Sequence, residues 1–219
     1  MTNNFIKVAL LIVSLLYSLP TYSNEVINSS VHHLSDGTYA NTSGVAYESS
    51  FNKLLKWSWE RRSKNLETFE FEVEVPNYKE IYENENIVTT WIGHETFLYQ
   101  NKDINVLTDP HFTQRASPLN FAGPKRYMAP GMKIDDLPNI DVVTISHSHY
   151  DHLDYMSVKL LAEKFDNILF LVPLGLKKWF ESKGIYNVRE LDWWDSLIIQ
   201  ETLITLSLIH ISEPTRQVL

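Results

Sequence analysis

The sequence contains no cysteine. Disulfides, thiolate metal sites, cysteine nucleophiles and lipoprotein processing are therefore all excluded. Positive charge is also short. Nineteen Lys+Arg stand against 27 Asp+Glu, for a net charge of -8. Phosphate repels such a chain, so nucleic acid is excluded as a general partner. No internal repeat is visible, and the apolar run near the start is too short to span a membrane. What is present fits a folded domain. The 219 residues are 44% hydrophobic and 21% charged, which suffices for a real core and argues against disorder.

The first residues read as a targeting signal. Lys7 supplies a small positive region, and Val8 to Leu19 form the apolar run. A membrane span needs about 20 apolar residues, whereas a signal core needs fewer. Pro20 breaks the run, and Thr21 and Ser23 are small enough for the -3 and -1 positions of a cleavage site. Residues 1–23 are expected to be a signal peptide, and the protein to be exported: periplasmic or outer-membrane-associated in a bacterium. Residues 24–50 are polar and read as an extended arm. From Phe51 the chain turns helical, with Phe51, Leu54, Leu55 and Trp59 on one stripe.

Beyond Ile87 the pattern becomes strand-like. Strands are expected over 87–92, 97–100 and 104–108, with a polar turn at Asn101-Lys102-Asp103. Residues 113–139 are proline-rich and lack periodicity, which marks a long loop of the kind that tends to be functional. After it come a buried strand (141–146), a helix (155–165) capped by Asp154, a strand (168–172), a helix (176–182) ended by Gly184, and a strand (188–193). That alternation argues an α/β layered fold.

The chemistry concentrates in His147-Ser148-His149-Tyr150-Asp151-His152, between the buried strand and the helix. Imidazole nitrogen and carboxylate oxygen are good zinc ligands. Alternate positions at a strand end send His147 and His149 to one side. A tight turn then brings Asp151 and His152 round to the same mouth. Four ligands in so short a stretch can serve two adjacent metals, and a water between two such cations is strongly acidified.

HxHxDH after a buried strand is the signature of the metallo-β-lactamase fold. Further strings resemble the N-acylphosphatidylethanolamine phospholipase D group within it: Trp91-Ile92-Gly93-His94-Glu95-Thr96, Leu107-Thr108-Asp109-Pro110, Gly123-Pro124-Lys125-Arg126, Val172-Pro173-Leu174-Gly175 and Glu190-Leu191-Asp192-Trp193-Trp194. The similarity runs from about residue 32 to residue 195. It implies an αββα sandwich, with residues 51–205 as the N-terminal half of the domain. It also implies two zinc ions in the complete site, one on His147 and His149, the other on Asp151 and His152. Asp151 would be the catalytic residue, orienting a metal-bound hydroxide, and Tyr150 would lie near a bound lipid.

The implied activity is hydrolysis of a phospholipid phosphodiester, releasing phosphatidic acid from an N-acylethanolamine headgroup at a membrane surface. Homodimerisation is raised by analogy alone. Another hydrolase of the fold, acting on a lactone, a β-lactam or another ester, stands as the alternative, and an inactive relative as a third. His94 is expected to be a hydrogen-bonded structural histidine, Lys125 and Arg126 a solvated loop pair, and Trp193 and Trp194 core. His32 and His33 receive no role.

The family draws three more ligands from beyond the tryptophan pair, and the only later histidine is His210. Leu206 to Arg216 (LSLIHISEPTR) reads as the translation of a transposase sequencing adapter, so residues 206–219 are expected to be non-native and His210 no ligand. A polypeptide ending there is expected to be inactive and prone to aggregate.

Overall fold

The computed structural model describes residues 87–207 apart from Asn120, together with residues 32–34, 39, 56, 59 and 60. The signal peptide, nearly all of the polar arm, most of the 51–59 stripe and the end of the tail lie outside the described residues. Residues 1–50 and 51–219 form two separate units. Within the first, His33 makes an isolated bridge with Tyr39. In the second, residues 56, 59 and 60 are helical and Trp59 is exposed.

A six-stranded sheet organises the rest. Its strands are β1 (Val88–Gly93), β2 (Thr96–Gln100), β3 (Asn105–Thr108), β4 (Val142–Thr144), β5 (Leu169–Pro173) and β6 (Val188–Leu191), and they lie in chain order. The first three pair antiparallel through tight turns. At the β2–β3 turn, Asn101 Oδ1 accepts the backbone N–H groups of Asp103 and Ile104, both at 2.8 Å. From β3 onward the pairing is parallel, which requires crossovers. Helices α1 (Tyr155–Lys164) and α2 (Lys177–Glu181) supply two of them.

Alternation along the strands sorts side chains to two faces. Val143 and Phe170 join Leu98, Leu107, Val158, Leu161 and Phe180 in the larger core, under the two helices. Their neighbours Val142 and Leu171 join Ile104 and Leu191 on the opposite face. That face is met by a hairpin the sequence reading had not assigned, β7 (Ser196–Ile199) and β8 (Thr202–Thr205). Leu197, Ile199, Ile204 and Leu206 pack there. Among the described residues the strands form one mixed sheet with this hairpin as a second, smaller one, and no helix is long and apolar enough to cross a membrane.

Three expectations need correction. Asp154 does stand at the N-cap of α1, but its carboxylate bonds no helix backbone N–H. Oδ2 instead accepts the Ser157 hydroxyl at 2.5 Å and the Thr113 N–H at 3.2 Å, which ties the start of the long loop to the helix. The tryptophan pair is not core. Trp193 is half-buried, and Trp194 is 48% exposed in a turn at φ 69°. Finally, Arg126 is not a solvated residue. It is half-buried, and its guanidinium donates to the carbonyls of His111, Met128 and Thr113. Lys125, beside it, is exposed as expected.

Candidate metal centre

Because β3 and β4 are parallel, their C-terminal ends lie side by side, and β1 ends at the same edge. Asp109 follows β3, Ser146 to His152 follow β4, and His94 sits on the β1–β2 turn. The polar groups that converge there come from three separated stretches of sequence, at the edge where α/β sheets usually carry their sites.

The expected cluster assembles. His147 Nε2 and His149 Nδ1 are 2.9 Å apart, and His152 Nε2 lies 3.7 Å from Asp151 Oδ2. The rings of His147 and His152 are 4.0 Å apart between centroids, so the two halves adjoin. Two ligand atoms on one tetrahedral zinc, each about 2.1 Å from the ion, would be separated by roughly 3.4 Å. The observed pairs bracket that separation, and the donor set is of the right chemistry. The residues fit a divalent metal. Tyr150, expected near a lipid, is 53% exposed.

Beneath the cluster lies a carboxylate to which the sequence reading gave no role. Asp109 Oδ2 accepts the Ser146 hydroxyl at 2.6 Å and His152 Nδ1–H at 2.8 Å, and Oδ1 accepts the Ser146 N–H at 2.7 Å. The Ser146 hydroxyl also meets His147 Nδ1 at 2.9 Å. This network places a proton on Nδ1 of both His147 and His152, so Nε2 is the nitrogen of each ring that a metal would use. Asp109 is itself pinned by its own backbone, whose N–H donates to Thr144 O at 2.9 Å and whose carbonyl accepts Thr96 Oγ1–H at 2.8 Å. The only sequence signal for it was the Asp-Pro pair at the strand end.

Burial, then the charges of His152 and His149, push His147 down to about 4. It is neutral at neutral pH and ready to bind metal. For Asp151, burial alone would raise the carboxyl, but the hydrogen bond from His94 and the neighbouring His152 charge outweigh it and hold it below the ordinary carboxylate range. His94 is raised, chiefly by that same bond to Asp151. The expectation of a hydrogen-bonded histidine is met, but its partner belongs to the site: Nε2 lies 3.0 Å from Asp151 Oδ2. His94, Asp151 and His152 together form a three-residue group able to hold a metal ion.

His111, also unforeseen, is buried beside the centre, its ring 6.1 Å from that of His94. Neither ring nitrogen has a partner in hydrogen-bonding geometry among the described residues. Burial and the Arg126 charge lower its pKa, against Asp154 and the Arg115 backbone.

Comparison with known proteins agrees with this geometry. The chain is 43% identical over 122 residues to N-acyl-phosphatidylethanolamine-hydrolyzing phospholipase D 1 of Caenorhabditis elegans, an alignment covering 53% of this chain and 34% of that protein. It is 34% identical over 115 residues to the mitochondrial N-acyl-phosphatidylethanolamine-hydrolyzing phospholipase D of Saccharomyces cerevisiae, covering 52% and 24%. A metal-dependent hydrolase of Solibacter usitatus is 32% identical over 119 residues, covering 54% and 45%. The chain thus spans about a third of the length of the first of these relatives. A family model described as the beta-lactamase superfamily domain matches residues 104–217, a stretch that holds the whole HxHxDH cluster, and the chain belongs to that family.

Proposed function

We propose that the protein is a zinc-dependent phosphodiesterase that hydrolyses an N-acylphosphatidylethanolamine-type phospholipid. The observation that carries this reading is the pair of rings His147 and His152, both held at Nδ1 through Asp109 and Ser146, with each Nε2 turned to His149 or Asp151. The names of the nematode and yeast relatives supply the substrate class.

When bound, a pair of divalent cations supplies Lewis acidity and makes a nearby water strongly acidic. His147 Nε2 and His149 Nδ1 would hold one ion, and Asp151 and His152 Nε2 the other. The protein's own work is then positional. Asp109 and Ser146 keep two imidazoles in one tautomer and one orientation, so no reorganisation is needed at the moment of reaction. Asp151 accepts a hydrogen bond from the attacking water and aligns it with phosphorus. The water oxygen–phosphorus bond forms as the bond from phosphorus to the N-acylethanolamine oxygen breaks, and a proton from the water ends on that leaving oxygen, giving phosphatidic acid and an N-acylethanolamine. Exposed Tyr150, and Trp91 at 51% exposure with its indole N–H on His94 O, give apolar surface at the mouth for a lipid chain. Export by the N-terminal signal, contact with a membrane surface and homodimerisation belong to the same reading.

The test is direct. Protein expressed from the complete gene is assayed in parallel on N-acylphosphatidylethanolamine, a chromogenic phosphodiester and a cephalosporin, with zinc content measured before and after chelation. Release of phosphatidic acid that is lost on chelation and restored by zinc is the expected result. Turnover confined to the cephalosporin, or activity indifferent to chelation, would overturn it. Mass spectrometry of the mature N-terminus checks cleavage after Ser23.

A further inference from the structure

His94 lies 57 residues before Asp151 in sequence, yet its ring is placed on that carboxylate. The placement is built rather than incidental. His94 occupies the left-handed region at φ 54°, directly after Gly93 at φ 143°. A non-glycine residue holds such a backbone only where its surroundings over-determine it. Here the surroundings are visible. The β1–β2 register shifts between Trp91 and Gly93, and the Trp91 indole N–H donates to the His94 carbonyl at 2.8 Å. The ring then packs 5.5 Å from the His152 ring.

An aspartate is short, and its carboxylate still turns about two bonds. Asp151 sits on a turn, not on a strand, and the contact with its own backbone N–H acts on its carboxylate less than the bond from His94 does. A donor from a different strand pair removes that freedom. We propose that His94 is a positioning residue for Asp151: its Nε2–H binds Oδ2 and holds the carboxylate on the His152 side, set to bind metal there. This inference rests on the metal-dependent reading of the same site. It is the counterpart of the Asp109–His152 contact, with the ligand and the orienting group exchanged: there a carboxylate orients a histidine ligand, and here a histidine orients a carboxylate ligand. Groups that orient metal ligands typically change metal affinity by 10–100-fold when removed.

Cobalt(II) binding by protein expressed from the complete gene tests it without recourse to catalysis. Affinity is measured by competition with a chromophoric chelator, and the visible spectrum reports the ligand set. His94→Ala is expected to bind cobalt about 10–100-fold more weakly than the parent. His94→Gln, whose amide nitrogen donates from a similar place but is a poor ligand, is expected to recover most of the loss with the parent spectrum. In an Asp151→Ala background, His94→Ala is expected to add no further loss, since the two act through one contact. Far-UV circular dichroism checks folding. Should His94→Ala fail to fold, His94→Phe keeps a ring, removes the donor and takes its place. Parent-like affinity in His94→Ala, or additive losses in the double variant, would overturn the inference. So would a weak His94→Gln with an altered spectrum, which would make His94 a direct ligand. If the parent chain binds no cobalt, the metal reading itself falls and the inference with it; if the parent binds and every His94 variant binds equally, only the inference falls.

Discussion

Asp109 Oδ2 stands 2.8 Å from His152 Nδ1, both side chains buried, and the same oxygen holds Ser146 at 2.6 Å. One carboxylate thereby sets the tautomer of two histidines, one in each half of the cluster. Asp109→Asn keeps the size but replaces an acceptor with an amide nitrogen. Hydrogen bonds to a charged group contribute roughly 1.5–3 kcal/mol each. The variant is expected to lose about 2 kcal/mol or more of stability by urea unfolding. It is also expected to bind zinc about 10–100-fold more weakly. Parent-like zinc affinity in a folded Asp109→Asn protein would contradict the orienting role.

The long loop is anchored by Arg126 rather than left free. Its guanidinium reaches three carbonyls, and Gly131 N–H donates to Ile92 O at 2.7 Å, which draws the loop against the end of β1. Gly93 leaves room for this. A Cβ there would come 3.0 Å from Arg126 Nη2, on a backbone at φ 143° that side chains rarely adopt. Gly93→Ala is expected to cost roughly 1–3 kcal/mol. It is also expected to raise proteolytic cleavage within 113–130, read by limited trypsin digestion. A cleavage pattern identical to the parent's would count against the anchor.

The β7–β8 hairpin turns on Gln200 and Glu201, at φ 46° and 64°, between the paired residues Ile199 and Thr202. A two-residue loop with both central residues at positive φ favours Asn-Gly, and neither residue here is suited to it. Glu201→Gly should relieve about 1 kcal/mol of that strain. For a chain of this length the corresponding rise in Tm is about 2–4 °C. An unchanged or lower Tm would mean that the turn carries no strain worth relieving.

These residues also show what sequence could and could not convey. β4 and the run His147 to His152 were legible because a β-branched buried strand and a dense run of ligand-type side chains are both local signals. The helices α1 and α2 followed from periodicity and from Gly184, which takes φ 79° at the end of α2. Asp109 stands in the Leu107-Thr108-Asp109-Pro110 string, but its task comes only from parallel pairing of β3 with β4, 36 residues on. Arg126 read as solvated because a half-buried guanidinium in a proline-rich loop has no periodic signature. Asp154 was placed correctly at a helix start, but its carboxylate went to Ser157 and Thr113, partners that exist only once the loop returns. The hairpin at 196–205 was missed for want of turn residues. Local pattern gave the elements and the cluster, whereas the contacts that tune the cluster are long-range.

His111 offers a test of the buried surroundings through pH. Its pKa lies below the ordinary 6.5, principally because burial disfavours the charged ring. In the unfolded chain the imidazole returns to about 6.5. Above that pH both states are neutral and His111 adds no slope. As pH falls through 6.5, the unfolded chain takes up a proton that the folded state refuses, so stability drops with acidification until the folded pKa is reached. His147, held down to about 4, acts with the same sign, so a comparison between variants is needed to isolate His111. His111→Phe removes one such proton and keeps an aromatic ring in the same buried place. The urea midpoint of the variant is therefore expected to fall less than the parent's between pH 7 and pH 5. Equal falls would show that His111 is protonated in the folded state as readily as in the unfolded one, and that its burial is not what the geometry implies.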